Sequence, residues 1–271
     1  MTQFLSSAAI ALAGFLACTG LAARAEISPG LVDARLLPGW RTGPDTHMAA
    51  LQLRMAPGWK TYWRSPGDAG IPPQFDWQGS RNMAGIRAHW PTPRIFEFGG
   101  MRTVGYQNEL VLPLELRIAS PDQPLHLQAT IEIGVCKDIC VPVTLQLSSD
   151  LPDVSRADPA IRTALQSVPG SARAGHVRTA SCRLEPGRRG MKLHGRIDMP
   201  RLGQDEVVVV ESADPRLWVS ETSTRREGGH LTLEAEMIAQ DRGPFVLDRS
   251  GVTFTVIADG RAIEIRGCTG A

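Results

Sequence analysis

Two cysteines set the chemistry that this chain can do. Cys136 and Cys140 stand four positions apart in Gly134-Val-Cys-Lys-Asp-Ile-Cys-Val-Pro142. Thiols at that spacing can close a small disulfide loop, exchange with another disulfide through a thiolate, or hold a soft ion such as Cu(I). Lys137 between them favours the thiolate and Asp138 opposes it. Cys182 and Cys268 follow much later. Four cysteines allow three pairings, and the spacing suggests Cys136 with Cys140 and Cys182 with Cys268. In the chain-entropy account the long loop restrains the unfolded chain by about 4.6 kcal/mol and the short one by only about 2 kcal/mol. The long pair is therefore expected to hold structure. The short pair is a weak staple and a plausible redox device, because exposed disulfides exchange readily.

The elements that would position the pair are strands. Leu125, Leu127, Ala129, Ile131, Ile133 and Val135 alternate with polar or small residues up to the motif, and Val141, Val143, Leu145 and Leu147 resume the alternation after it. This is the pattern of two half-buried strands joined by a short turn. Cys136 and Cys140 have the polar parity, so both sulfurs are expected to face away from the core. Further strands are expected at 48–55, 59–63, 74–77 and 110–118, separated by Pro/Gly turns. Pro113 inside the last of these predicts an edge strand or a bulge.

Asp158-Pro159 followed by Ile161, Ala164 and Leu165 predicts a short helix with an aspartate N-cap, ending at Pro169-Gly170. Gly170–Ala180 reads as an exposed connection. Strands are again expected at 191–197, 207–210, 231–235, 252–256 and 262–266, the last preceded by a tight Asp259-Gly260 turn. The fold class expected is all-β, a β-sandwich followed by a second β-rich domain. Its divisions are 1–25, 26–151, a linker over 152–180 that holds the helix, and a second β-sandwich over 181–271. Cys182 and Cys268 bracket the second set and would join its first strand to its last.

Residues 4–22 are mostly small and apolar, and Ala23-Arg-Ala25 fits a signal-peptide cleavage site, so cleavage is expected after Ala25, with Cys18 in the removed segment. Export places the remaining cysteines in an oxidising compartment. With 42% hydrophobic and 21% charged residues, the 271-residue chain has an ordinary globular composition. Its net charge of +1 gives no reason to expect a nucleic-acid partner.

Trp59, Tyr62-Trp63, Pro66-Gly67-Asp68, Pro72-Pro73, Phe75, Trp77, Trp90-Pro91, Phe96-Glu97-Phe98, Gly105-Tyr106 and the Cys136–Pro142 motif occur in that order. Together they resemble the N-terminal periplasmic domain of the thiol:disulfide interchange protein DsbD and of its ScsB relatives. The resemblance spans roughly Ile27 to Leu151. It implies an immunoglobulin-like fold, with no cofactor or metal, whose cysteine pair takes electrons from a membrane-embedded thiol reductase of the DsbD/CcdA type and passes them to periplasmic thioredoxin-fold proteins. Carried onto this chain, Cys136 and Cys140 are the exchange pair, with Cys140 forming the mixed disulfide. Phe96, Glu97, Phe98, Gly99 and Gly100 are the cap loop. In DsbD itself the pair is more widely spaced. After residue 25 the sequence has no transmembrane segment, so the electron source is expected to be a separate membrane protein.

Other readings exist for the same residues. The short pair could be a local turn-stabilising disulfide in a non-catalytic binding or scaffold protein. Cys-x-x-x-Cys-x-Pro also resembles a copper motif, with Met83, Met101 or a histidine as further ligands. Phe96 and Phe98 share parity and could be core residues of a strand. Asp68 reads as a turn residue. The six histidines are scattered, and no phosphate loop, nucleophile elbow or zinc signature appears.

Overall fold

The computed structural model describes residues 30–98, 100–152 and 156–270. The expected signal peptide lies outside the described residues. Ten strands come first: β1 (Val32–Gly43), β2 (Thr46–Met55), β3 (Lys60–Tyr62), β4 (Gln74–Asp76), β5 (Met83–Ala88), β6 (Arg94–Phe98), β7 (Met101–Gln107), β8 (Glu109–Ile118), β9 (Leu125–Cys136) and β10 (Cys140–Leu151). They form two sheets, β1-β2-β8-β5 and β10-β9-β3-β7-β6, with β4 also paired to β9. The inner faces meet over Leu51, Leu53, Leu112 and Leu114 from one sheet and Leu127, Ile131 and Val135 from the other. This is an immunoglobulin-like β-sandwich, and the alternation read from the sequence is what gives each sheet its apolar face.

Strand β2 departs from simple alternation because both of its faces are covered. Helix α1 (Pro159–Gln166) starts where expected, with Asp158 Oδ1 accepting from the Ala160 and Ile161 amides at 2.8 and 3.2 Å. Ile161 of this helix packs on Met48 and Ala50, the outward side of β2. Pro113 also departs from expectation. Its strand β8 is interior, between β2 and β5. The Pro113 carbonyl accepts from the His89 amide at 2.8 Å, on the β5 side and just past the end of β5 at Ala88. The missing N–H falls on that same side, where no strand residue is left to accept it.

The second set of strands is β11 (Gly170–Ser171), β12 (Thr179–Pro186), β13 (Met191–Asp198), β14 (Val207–Ser212), β15 (Leu217–Val219), β16 (Ser223–Glu227), β17 (His230–Ala239), β18 (Val252–Ala258), β19 (Arg261–Arg266) and β20 (Thr269–Gly270). Their sheets are β11-β19-β18-β14 and β15-β17-β13-β12-β20, with β16 on β17. Gly170–Ala180, expected as a connection, supplies β11 and the start of β12. Asp259 and Gly260 take φ of 49° and 70°, the left-handed pair of a two-residue hairpin turn between β18 and β19.

Side chains also join the two sets. Arg64, just beyond β3, donates to Glu211 Oε1 and Oε2 at 2.8 and 2.9 Å and to Glu264 Oε2 at 2.8 Å. Asp68 Oδ1, which the sequence suggests is a turn residue, accepts from the Glu221 amide at 2.8 Å. Among the described residues no helix is long and apolar enough to cross a membrane.

Candidate functional site

Cys136 ends β9 and Cys140 begins β10. They are register partners in the hairpin, with Cα atoms 4.1 Å apart, and they form a disulfide. The Lys137 amide donates to the Ile139 carbonyl at 3.0 Å, which closes the intervening turn. On the other side of β9, β3 pairs antiparallel with Lys60 opposite Cys136 and Thr61 opposite Val135. Antiparallel partners point to one face of the sheet, so Lys60 and, by period two, Tyr62 share the face of Cys136 and Gly134. Thr61 and Trp63 turn the other way, towards the core. The Thr61 hydroxyl donates to the Gly134 carbonyl at 3.0 Å, and Trp63 is fully buried.

Both cysteines lie on the face turned away from the core, but only one of them is open to solvent. Cys140 is exposed, but Cys136 is only 1% accessible. The cover comes from Tyr62, whose hydroxyl lies 3.1 Å from Cys136 Sγ and 3.2 Å from Cys140 Sγ. A Cβ on Gly134 would lie 3.1 Å from both the Tyr62 ring and Ile71 Cδ1, so these two side chains roof the outer face of β9 beside the pair. Local parity alone does not reveal this roof, because it arrives from a strand far earlier in the chain. The available signal was the alternation within Lys60–Trp63, which separates Tyr62 from the two core residues beside it. Burial pushes the Tyr62 phenol above its ordinary pKa, so it remains a hydrogen-bond donor at neutral pH. Beside the roof, Ile139 in the turn is 68% exposed.

The expected cap residues lie on a hairpin rather than on an irregular loop. Phe96, Glu97 and Phe98 belong to β6, with Phe96 opposite Thr103 and Phe98 opposite Met101 of β7. Gly99 lies outside the described residues. Gly100 takes φ of 78° in the turn. The Lys60 ammonium sits 4.9 Å from the centre of the Phe96 ring and donates to Thr103 Oγ1 at 3.1 Å. Glu97 lies 3.8 Å from Arg102. Burial lowers the Lys60 pKa.

Cys182 and Cys268 form the second disulfide, with Cα atoms 5.7 Å apart. Cys182 in β12 is fully buried, and Cys268 precedes β20, which runs parallel to β12. Met83 lies in β5 of the opposite sheet, and Met101 lies at the β6–β7 turn. Among the described residues no three histidine, cysteine or acidic side chains converge as metal ligands.

An immunoglobulin-like sandwich with a cysteine pair at a hairpin end, one sulfur exposed and one buried, defines a disulfide-bearing all-β domain. Residues 33–152 match the family model described as Thiol:disulfide interchange protein DsbD, N-terminal. That part of the chain is similar to the N-terminal domain of this thiol:disulfide interchange protein. Among solved structures, the N-terminal periplasmic domain of ScsB from Proteus mirabilis is similar at TM-score 0.64 and 24% identity, covering 88% of this chain and 92% of that one. That likeness extends the shared fold across both sets of strands. A protein of unknown function from Porphyromonas gingivalis W83 aligns over 88% of this chain and 100% of its own, at 12% identity and a TM-score of 0.21, too low to support an argument. No curated protein matches the chain.

Proposed function

We propose that this protein relays electrons by dithiol–disulfide exchange through Cys136 and Cys140. The donor is a membrane-embedded thiol reductase of the DsbD/CcdA type, and the acceptors are thioredoxin-fold proteins of the periplasm. The supporting observation is the unequal exposure of the two sulfurs. A donor thiolate attacks exposed Cys140 Sγ, the Cys136–Cys140 bond breaks, and Cys136 leaves with the electron pair and takes a proton. The donor's second thiolate then attacks its own sulfur in the mixed disulfide, which leaves the pair fully reduced. Delivery runs the same path backwards. The Cys140 thiolate attacks the acceptor disulfide, then the Cys136 thiolate attacks Cys140 Sγ and expels the acceptor as a thiolate. Two electrons pass in each direction.

In this reading the chain is exported and cleaved after Ala25. Residues 26–151 form the exchange domain, 152–180 the linker, and 181–271 a second sandwich held by Cys182–Cys268. Phe96, Glu97, Phe98 and Gly99 act in this reading as the cap that a partner moves.

The test is trapping. Cys136→Ser leaves the exposed thiol without its resolving partner and should accumulate a mixed disulfide with a thioredoxin-fold protein. Cys140→Ser, which keeps only the buried thiol, should not. Failure of both variants to trap, together with resistance of the native pair to millimolar dithiothreitol, would sink the relay. Stoichiometric Cu(I) binding by the reduced protein, lost in both variants, would replace it with metal handling.

A further inference from the structure

The geometry points to Lys60 as the residue that stabilises the Cys136 thiolate during exchange and, by leaving Phe96 to do so, releases the β6–β7 hairpin. The inference rests on the relay reading of the same cysteine pair, and it gives that pair a charge partner and its cover a trigger.

Three observations support it. Lys60 is the antiparallel register partner of Cys136 on the covered face. Such partners lie about 5 Å apart at Cα, within the reach of a lysine side chain. Among the described residues the ammonium is held by the β6–β7 hairpin, through the Thr103 hydroxyl at 3.1 Å and the Phe96 ring at 4.9 Å. Phe96 and Thr103 face each other across that hairpin, so one cation holds both of its strands. Finally, among the described residues Lys60 forms no ion pair, although burial disfavours its charge. A partly desolvated cation with a ring and a hydroxyl for company is poised for an anion.

The anion is absent in the disulfide and appears on reduction. Cys136 is nearly inaccessible, and burial alone would keep its thiol protonated. In the resolving step that thiol must lose its proton, and its sulfur must form a bond to Cys140 Sγ as the acceptor sulfur departs with the electron pair. An ammonium moving from Phe96 to the sulfur supplies the missing charge at that step. Other ionisable groups on this face or around its rim are Tyr62, Glu132, Arg94, the turn residues Lys137 and Asp138, and the Glu97–Arg102 pair at 3.8 Å. None of the cations among these is a strand partner of Cys136, as Lys60 is.

The test follows the Cys136 Cβ carbon resonance against pH in the reduced full chain, together with the Phe96 ring resonances in both redox states. Lys60→Met should raise the Cys136 titration midpoint by about one pH unit, a tenfold loss of thiolate at a given pH. Lys60→Arg should leave it near the wild-type value. Phe96 signals should shift on reduction in the wild type and stay fixed in Lys60→Met. An unchanged midpoint in a folded Lys60→Met protein overturns the proposal. A raised midpoint with Phe96 signals alike in both redox states overturns the hairpin half and keeps the charge half. If the wild type never traps a partner, the relay reading fails, while the titration still decides whether Lys60 governs the thiol.

Discussion

The Tyr62 hydroxyl lies against both sulfurs of the pair, 3.1 Å from Cys136 and 3.2 Å from Cys140. One phenol therefore serves both members of the pair. It is kept in its neutral, donating form by burial.

Tyr62→Phe keeps the ring and removes that donor. A hydrogen bond to a charged sulfur is worth about 1.5–3 kcal/mol, more than one to a neutral disulfide. The reduced state should lose more than the oxidised one. The midpoint potential, measured against glutathione, should become more negative by about 30 mV, the two-electron equivalent of about 1.4 kcal/mol.

The sequence contains two tyrosines, and both are buried. Burial raises both phenols above their ordinary value of about 10, Tyr106 well above it. Their raised pKa values stabilise the fold below about pH 10, and that stability is lost as pH rises through the folded values. Lys60, depressed by burial, acts in the opposite sense. Absorbance at 295 nm should show no phenol ionising near pH 10 in the native protein and both doing so in urea. The urea midpoint should fall above that pH. A native phenol titrating at its ordinary value would contradict the burial described.

Arg64 joins the two sets of strands through Glu211 and Glu264, which are 19% and 18% exposed at the side chain. Burial alone would push the Glu264 carboxyl up, but hydrogen bonds and charge from Arg64 and Arg266 outweigh it and hold the pKa low. Arg64→Met removes the Arg64 partner of the half-buried Glu211 and leaves Glu264 with Arg266 alone, and it should cost about 2–3 kcal/mol, below the value for a fully buried pair because water still reaches the carboxylates. The wild-type contribution of Glu264 should be complete above about pH 4.5 and lost as pH falls through its depressed value. Thermal melts of Arg64→Met from pH 7 to pH 3 should therefore converge on the wild type at the acid end.

The two disulfides should respond differently to reductant. Cys140 is exposed, whereas Cys182 is fully buried. Mild dithiothreitol should open the first pair while the second persists, as read by alkylation and peptide mass. Replacing Cys182 and Cys268 with alanine should cost about 4 kcal/mol of stability and leave exchange at Cys140 unchanged.

Much of this arrangement was legible because hairpins are local. The alternation on either side of Lys137–Ile139 sets the register that pairs Cys136 with Cys140, and Asp259-Gly260 announces its own turn. The burial of Cys136 was not legible, since β9 shows only its own parity and the residue that covers it sits on β3. Strand β5, Met-Ala-Gly-Ile-Arg-Ala, has little intrinsic β preference and is held by pairing with β8, so composition hid it. Pro113 misled for a related reason. A proline excludes one hydrogen bond on one side of a strand, and the neighbouring strand had already ended there.

Strand β3 spans three residues, yet the run from Lys60 to Arg64 has no idle position. Lys60 and Tyr62 serve the cysteines, Thr61 and Trp63 the core, and Arg64 the second set of strands. Substitutions accumulate where a side chain answers to nothing, and here every side chain answers to a different neighbour. This short segment should therefore be among the slowest parts of the chain to drift, and a saturation library across it should yield few functional variants.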